Sequence, residues 1–154
     1  MPILSTPMAF EIEWVDPSLV VCRTSGLASV EGYEAMMRAL ASDPRFQPGV
    51  DLIVDHTNVD VSTLTAADIE RVAGLRARFA GKVVARAAGV VGPDSPLKYG
   101  LGRMFEAYLG VQPGAGVSVF ATIDEAIAWL RGTGPATPPQ PWGAGLLPLA
   151  PPSP

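Results

Sequence analysis

At 154 residues, with 11 basic and 15 acidic side chains, the chain has one domain's worth of sequence and a formal net charge of −4. That balance argues against general nucleic-acid binding, where affinity comes from many Lys and Arg releasing counterions. Apolar residues make up 48%, enough for a core burying roughly two thirds of the unfolded surface without disulfides or metal, and charges at regular intervals over residues 8–131 exclude both disorder and a membrane span there.

The first stretch, Met1-Pro2-Ile3-Leu4-Ser5-Thr6-Pro7, has no basic region, and Glu11 and Glu13 interrupt any apolar run before it reaches leader length. Residues 1–7 read as a flexible N-terminus, no secretory leader is expected, and the expected compartment is the cytoplasm. Met8–Val15 alternates Phe10, Ile12 and Trp14 or Val15 against Glu11 and Glu13, the period of a half-buried strand. Asp16-Pro17-Ser18 turns the chain into Leu19–Thr24, which predicts an antiparallel hairpin at one edge of a sheet. Cys22 lies inside that second strand, has no cysteine to pair with, and reads as a small buried hydrophobe.

Ser29 caps a predicted helix with Val30, Tyr33, Met37, Leu40 and Ala41 inward, ended by Asp43-Pro44. Val50–Val54 is a continuous apolar run of strand length, expected at the sheet centre. Thr65-Ala66-Ala67-Asp68 opens a helix with Ile69, Val72, Leu75 and Phe79 inward, and Val83–Val91 is the next strand. After Gly92-Pro93-Asp94-Ser95, Pro96 takes the first position of a helix facing inward through Leu97, Leu101, Met104, Phe105 and Tyr108. Val117–Phe120 is a strand, and Thr122-Ile123-Asp124-Glu125 is a full capping box for a last helix with Ile123, Ala126, Ile127 and Leu130 inward.

The order is ββαβαβαβα: an α/β domain over residues 8–131 with a mixed five-stranded sheet, an N-terminal antiparallel hairpin followed by parallel crossovers. From Gly132 the composition changes, and eight of the sixteen prolines fall in residues 132–154. Proline lacks an amide donor and fixes its own φ, so this stretch reads as a disordered, partly polyproline extension.

Three stretches carry a resemblance to a known family: Asp43-Pro44-Arg45-Phe46-Gln47-Pro48-Gly49, Tyr99-Gly100-Leu101-Gly102-Arg103-Met104-Phe105-Glu106 and Asp124-Glu125-Ala126-Ile127-Ala128-Trp129-Leu130. Together, over residues 8–131, the chain resembles bacterial SpoIIAA-like proteins, the STAS/CRAL-TRIO-type domains. The resemblance implies a fold matching the order above, in a family whose members mostly lack an assigned activity. Anti-anti-sigma factors of the STAS class carry a phosphorylatable Ser after Asp and before Gly in the loop leaving the third strand. Here that loop has no such pattern; Ser62 and Thr63 are the hydroxyls available for phosphate, with turn formation as their plainer role. The CRAL-TRIO class needs a roomy apolar cavity, for which a domain of this size leaves little volume.

Charge is unevenly distributed. Residues 1–70 hold three basic and eleven acidic side chains, whereas residues 71–103 hold seven basic ones against Asp94 alone. Arg71, Arg78 and Lys82 fall on one side of the predicted second crossover helix, a solvated face or a surface for an anionic partner. In parallel sheets ligands gather at the carboxyl ends of strands, so Asp55, His56 and Asn58 after one strand, Asp94 and Ser95 after the next, and the helix residues Lys98 and Arg103 are the candidate ligand-binding set.

No catalytic arrangement emerges from these residues. Asp55 and His56 are neighbours whose side chains leave opposite faces of a strand, and Ser95-Pro96-Leu97-Lys98 has Ser-x-x-Lys spacing without its companion motifs. Gly100-Leu101-Gly102 sits in a helical pattern and reads as close packing, not as a phosphate loop. The expectation is a non-enzymatic binding module without cofactor or metal, engaging a protein partner or a second copy of itself. The alternative is a receptor for a small anionic or lipid-like ligand at the strand-end loops.

Overall fold

The structure, a computed structural model, describes residues 6–81, 83–109 and 117–132. Its elements are β1 (Ala9–Asp16), β2 (Leu19–Leu27), α1 (Val30–Ala41), β3 (Val50–Asp60), α2 (Ala66–Ala80), β4 (Val84–Val90), α3 (Pro96–Tyr108), β5 (Val117–Phe120) and α4 (Ile123–Leu130). β1 pairs antiparallel with β2, and β2 to β5 run parallel in the spatial order β1-β2-β3-β4-β5, which puts β3 at the centre and the hairpin at an edge, as the apolar patterns predict. Each parallel crossover advances one strand in the same direction, so right-handed connections deliver α1, α2 and α3 to one face. Among the described residues only α4, which follows the last strand, packs on the other.

Two cores result. Under the three helices lie Val20, Cys22, Leu52 and Ala87 with Tyr33, Met36, Leu40 and Val72; under α4 lie Val21, Ile53, Ala88 and Phe120 with Ala126 and Leu130. Alternate β3 residues therefore feed opposite cores. The helix starts are those the sequence spells out: Ser29 and Ser95 accept from backbone amides three residues on, and Thr65/Asp68 and Thr122/Glu125 form reciprocal capping boxes. The Asp43-Pro44-Arg45 stretch ties the exit of α1 to the edge strand. Trp14 Nε1 donates to Asp43 Oδ2 at 3.1 Å, Arg45 forks onto the same carboxylate at 3.0 and 2.8 Å, and its guanidinium lies over the Trp14 ring. These Arg45 bonds hold the Asp43 carboxyl well below the usual carboxylate range.

Several expectations need correction. β2 runs on to Leu27 and β3 to Asp60, because Ser25, Gly26 and Leu27 stay paired with Asn58, Val59 and Asp60. The stretch after Val54 is thus strand, and Asp55, His56 and Asn58 stand within it instead of in a loop. Gly26 adopts φ +77°, and a Cβ there would meet the Pro7 carbonyl, so the chain at Thr6 and Pro7 lies directly against the end of β2. On α1, Met36 is buried and Ala41 exposed; on β1, Trp14 turns inward and Val15 outward. On α3, Leu97 and Tyr108 are 54% and 43% exposed and no residue is fully buried. A helix of 13 residues spans about 20 Å and β5, with four, only about 13 Å. At least one end of α3 therefore overhangs the strand beneath. The proline-rich extension lies outside the described residues, as does Lys82.

Candidate functional site

The carboxyl end of β3 brings its polar residues against α1 and α3. His56 follows Leu52 and Val54 on the three-helix face, where the Tyr33 hydroxyl of α1 meets its Nδ1 at 2.9 Å. Burial pushes the imidazole down to about 4, so it is neutral at pH 7, and burial raises the Tyr33 phenol. From α3, Lys98 Nζ donates to the Thr57 carbonyl at 2.9 Å. Burial lowers its pKa while the charges of Asp55 and Asp60 oppose the shift. Asp55 leaves the strand on the other face and accepts from the Thr57 amide at 2.9 Å. No bond joins it to His56, as the strand period requires.

Of the residues singled out from the sequence, His56 and Lys98 come together, with Asp55 behind them. The others do not join them. Asn58 is exposed on the edge of the β2–β3 ladder, and Asp94 is exposed in a turn. Ser95 Oγ is occupied as the α3 cap, accepting from the Lys98 amide at 3.3 Å, so the Ser-x-x-Lys spacing is a helix start. Arg103 is engaged along α3 with Tyr99 at 3.1 Å and Glu106 at 3.5 Å, and burial pushes the Glu106 carboxyl up to about 7 against the pull of Arg103. Ser62 and Thr63 are exposed ahead of α2, the Ser62 amide bonded to Asp60 in a turn. Arg71 and Arg78 are exposed on α2, Arg78 stacked on Phe79. Among the described residues no cluster of three or more His, Cys, Asp or Glu is placed to hold a metal, and no helix is long and apolar enough to cross a membrane.

The sequence reading missed what lies behind His56 and Lys98. A cavity of about 100 Å³ runs between the helices and β3–β5, walled by Leu52, Ile69, Val72, Leu101 and Phe105, with Tyr33, His56, Lys98 and Arg76 as its polar edges. It exists because Ala87 and Gly89 of β4 put almost no bulk beneath α2 and α3; a Cβ on Gly89 would meet nothing nearer than His56 Cδ2 at 4.0 Å. Ala87-Ala88-Gly89 in the middle of a strand was the signal available. Arg76 is the other omission. It belongs to the buried stripe of α2 with Ile69, Val72, Ala73 and Ala80, not to the exposed basic face. The volume is small, in keeping with the little space that a domain of this size leaves at normal packing density, but it is enough to admit a small molecule.

No family model matches the sequence, and no curated protein does. Solved structures match in fold. An uncharacterized protein of the DUF3478 family with a SpoIIAA-like fold, from Shewanella loihica PV-4, is 24% identical with a TM-score of 0.55, over 84% of this chain and 98% of its own. The anti-sigma factor antagonist SpoIIAA in its unphosphorylated form is 25% identical with a TM-score of 0.51, over 80% and 97%. An anti-sigma factor antagonist from Mycobacterium paratuberculosis is 18% identical with a TM-score of 0.52, over 83% and 99%. The chain has the SpoIIAA-like fold, a mixed five-stranded sheet with four helices.

Proposed function

We propose that the chain is a non-catalytic binding module of SpoIIAA-like fold whose cavity receives a small, mainly apolar ligand. The carrying observation is the cavity itself, apolar along its walls and edged by a few convergent polar groups, the usual form of a small-molecule site. The chemistry around it suits holding better than reacting. His56 is neutral and bonded to Tyr33, Ser95 Oγ caps a helix and Lys98 is tied to the Thr57 carbonyl, so among the described residues around the cavity no nucleophile stands beside a base. The test is a titration of the chain with neutral and acidic six-carbon probes, read as melting temperature. A saturable rise with at least one probe is expected; no rise with any at millimolar concentration would leave the cavity a packing void.

A protein partner is the second reading, favoured by the likeness to a protein named as an anti-sigma factor antagonist. It places the contact on the exposed row of Arg71 and Arg78, with Lys82 continuing it in sequence. Charge reversal of all three to Glu is expected to abolish association in sedimentation velocity while the fold persists. Unchanged association would remove this row from the reading.

A further inference from the structure

On α2 the inward positions are Ile69, Val72, Ala73, Arg76 and Ala80, and Arg76 breaks an otherwise apolar stripe. It is only 8% exposed and lines the cavity, and its Nε is buried with no hydrogen-bond partner. Among the described residues it makes no ion pair, whereas Arg86 faces Asp51, Arg103 faces Glu106 and Lys98 lies near Asp55 and Asp60. Arg71 and Arg78 are solvated. A guanidinium does not escape burial by losing its proton, and a buried one is ordinarily paired. Arg76 is thus a fixed positive charge, desolvated and unmatched, at the wall of an otherwise apolar space.

We infer that Arg76 recognises the head group of the ligand, and that the ligand is a monocarboxylate with a short apolar tail. This rests on the cavity being a ligand site. The charge count selects the head. One guanidinium balances one negative charge; His56 is neutral and the Lys98 charge is already faced by two carboxylates, so a phosphate dianion would bring a second negative charge with no matching cation. A carboxylate also fits the planar guanidinium, which takes two oxygens side by side. The volume selects the tail. An apolar cavity of about 150 Å³ takes one benzene, so the roughly 100 Å³ available here holds about four carbons, with the rest of a longer chain emerging at the open mouth.

The experiment is calorimetric titration of the full chain at pH 7.5 with hexanoate and with 1-hexanol, repeated on Arg76→Met and Arg76→Lys. Wild type is expected to bind hexanoate at least tenfold more tightly than the alcohol. Arg76→Met is expected to lose that preference while still taking the alcohol, and Arg76→Lys to keep part of it as a single point charge. The Met variant keeps the stem and removes an unpaired buried charge, so its melting temperature should hold or rise; the wild-type comparison of acid with alcohol stands without any variant. Equal wild-type affinity for the two probes, or a hexanoate preference that survives in Arg76→Met, would overturn the assignment and leave the cavity as a site for neutral ligands. Failure of wild type to bind either probe would overturn both the assignment and the reading beneath it.

Discussion

Beneath α4 the sheet is covered by eight residues, and Ala126, Leu130 and Phe120 are all at most 3% exposed. The Phe120 and Trp129 rings pack at 5.4 Å, and Arg86 reaches from β4 to bond the Trp129 and Leu130 carbonyls while its guanidinium lies over Trp129. On the opposite face, α3 has 13 residues and buries none of them completely, and the cavity lies under it. The short helix is the tighter one. Packing follows what the strands offer: β5 and β4 present Phe120, Ala88 and Val90 to α4 in close fit, whereas Ala87 and Gly89 leave a gap under α2 and α3. Close packing and open space are divided between the faces, so the cavity is kept without loosening the core that holds β3 to β5 together.

The largest effect that would sharpen this contrast comes from truncating each face in turn. Phe120→Ala under α4 is expected to cost about 3–5 kcal/mol, since a fully buried ring leaves a hole its neighbours cannot fill. Leu101→Ala under α3 is expected to cost about 1–2 kcal/mol, because that side chain is half-buried and already borders empty space. Urea unfolding of both variants measures the pair. Equal losses would mean that the two faces are equally packed.

A second contrast lies within the three-helix face, where two half-buried titratable groups respond to pH in opposite senses. Burial raises Glu106 from 4.5 to about 7, so the folded state holds its proton more tightly. Its contribution is complete below the unfolded value and is lost as pH rises through 7. Burial lowers His56 from 6.5 to about 4, so its contribution is complete above 6.5 and is lost as pH falls toward 4. Glu106→Gln is expected to abolish the loss on raising the pH from 4.5 to 7, raising stability at pH 8 by on the order of 2–3 kcal/mol relative to wild type. Denaturant midpoints across pH 4.5–8 check this, and a difference between variant and wild type that does not vary with pH would show that the Glu106 proton is not held by burial.

The hydrophobic periods made the architecture legible, and the site stayed hidden for reasons that particular residues show. Val50–Val54 announces a central strand by its apolar run, but the extension through Asp55-His56-Thr57-Asn58 is polar and follows from backbone pairing with the end of β2, which side-chain pattern does not record. Capping boxes are local, so Thr65 and Thr122 located their helices directly. Arg76 was concealed by its neighbours: it counts among the seven basic residues of 71–103, of which Arg71, Arg78 and Lys82 share one side of the predicted helix, and it falls four residues after Val72 on the buried side. The cavity depends on what is missing from β4, and small residues in a strand say nothing of what stands above them until the helices are in place. Leu97 and Tyr108 show the converse, inward by period and exposed on a helix longer than the strand beneath it.

Two glycines offer a smaller test of the same gap. A Cβ on Gly102 would stand 2.7 Å from Val119 Cγ2, a β-branched neighbour with little freedom to yield, so close packing of α3 holds at this position, while Gly100 has open space around it. Gly102→Ala is therefore expected to lose about 1–2 kcal/mol of stability despite the better helix propensity of alanine. Gly89→Ala adds a methyl to the cavity floor without a clash and is expected to gain about 0.5–1 kcal/mol while weakening the binding of any cavity probe. Thermal melts and probe titrations of the two variants read the opposite signs. A destabilised Gly89→Ala would show that the floor of the cavity is already in contact with something above it.

The smallest expected effect separates the cavity from the outer face of α2. Arg71 and Arg78 are exposed and on the same side of the helix, seven residues apart, while Ile69, Val72 and Arg76 of that helix line the cavity. Arg71→Glu with Arg78→Glu is expected to change stability by no more than about 0.5 kcal/mol, as solvated surface charges do, and to leave hexanoate binding unaltered at moderate ionic strength, where solvent screens charges on the far side of a helix. The Arg78 contact with Phe79 sets the limit of that insensitivity, because Arg38 of α1 lies over the same ring at 5.0 Å and retains the stacking when Arg78 is reversed. If hexanoate affinity fell severalfold in this double variant, the anion would be drawn by the field of the whole basic segment and not by Arg76 at the cavity wall. Repeating the titration at two salt concentrations decides between them, since a diffuse surface field weakens steeply with salt and a buried guanidinium–carboxylate pair does not.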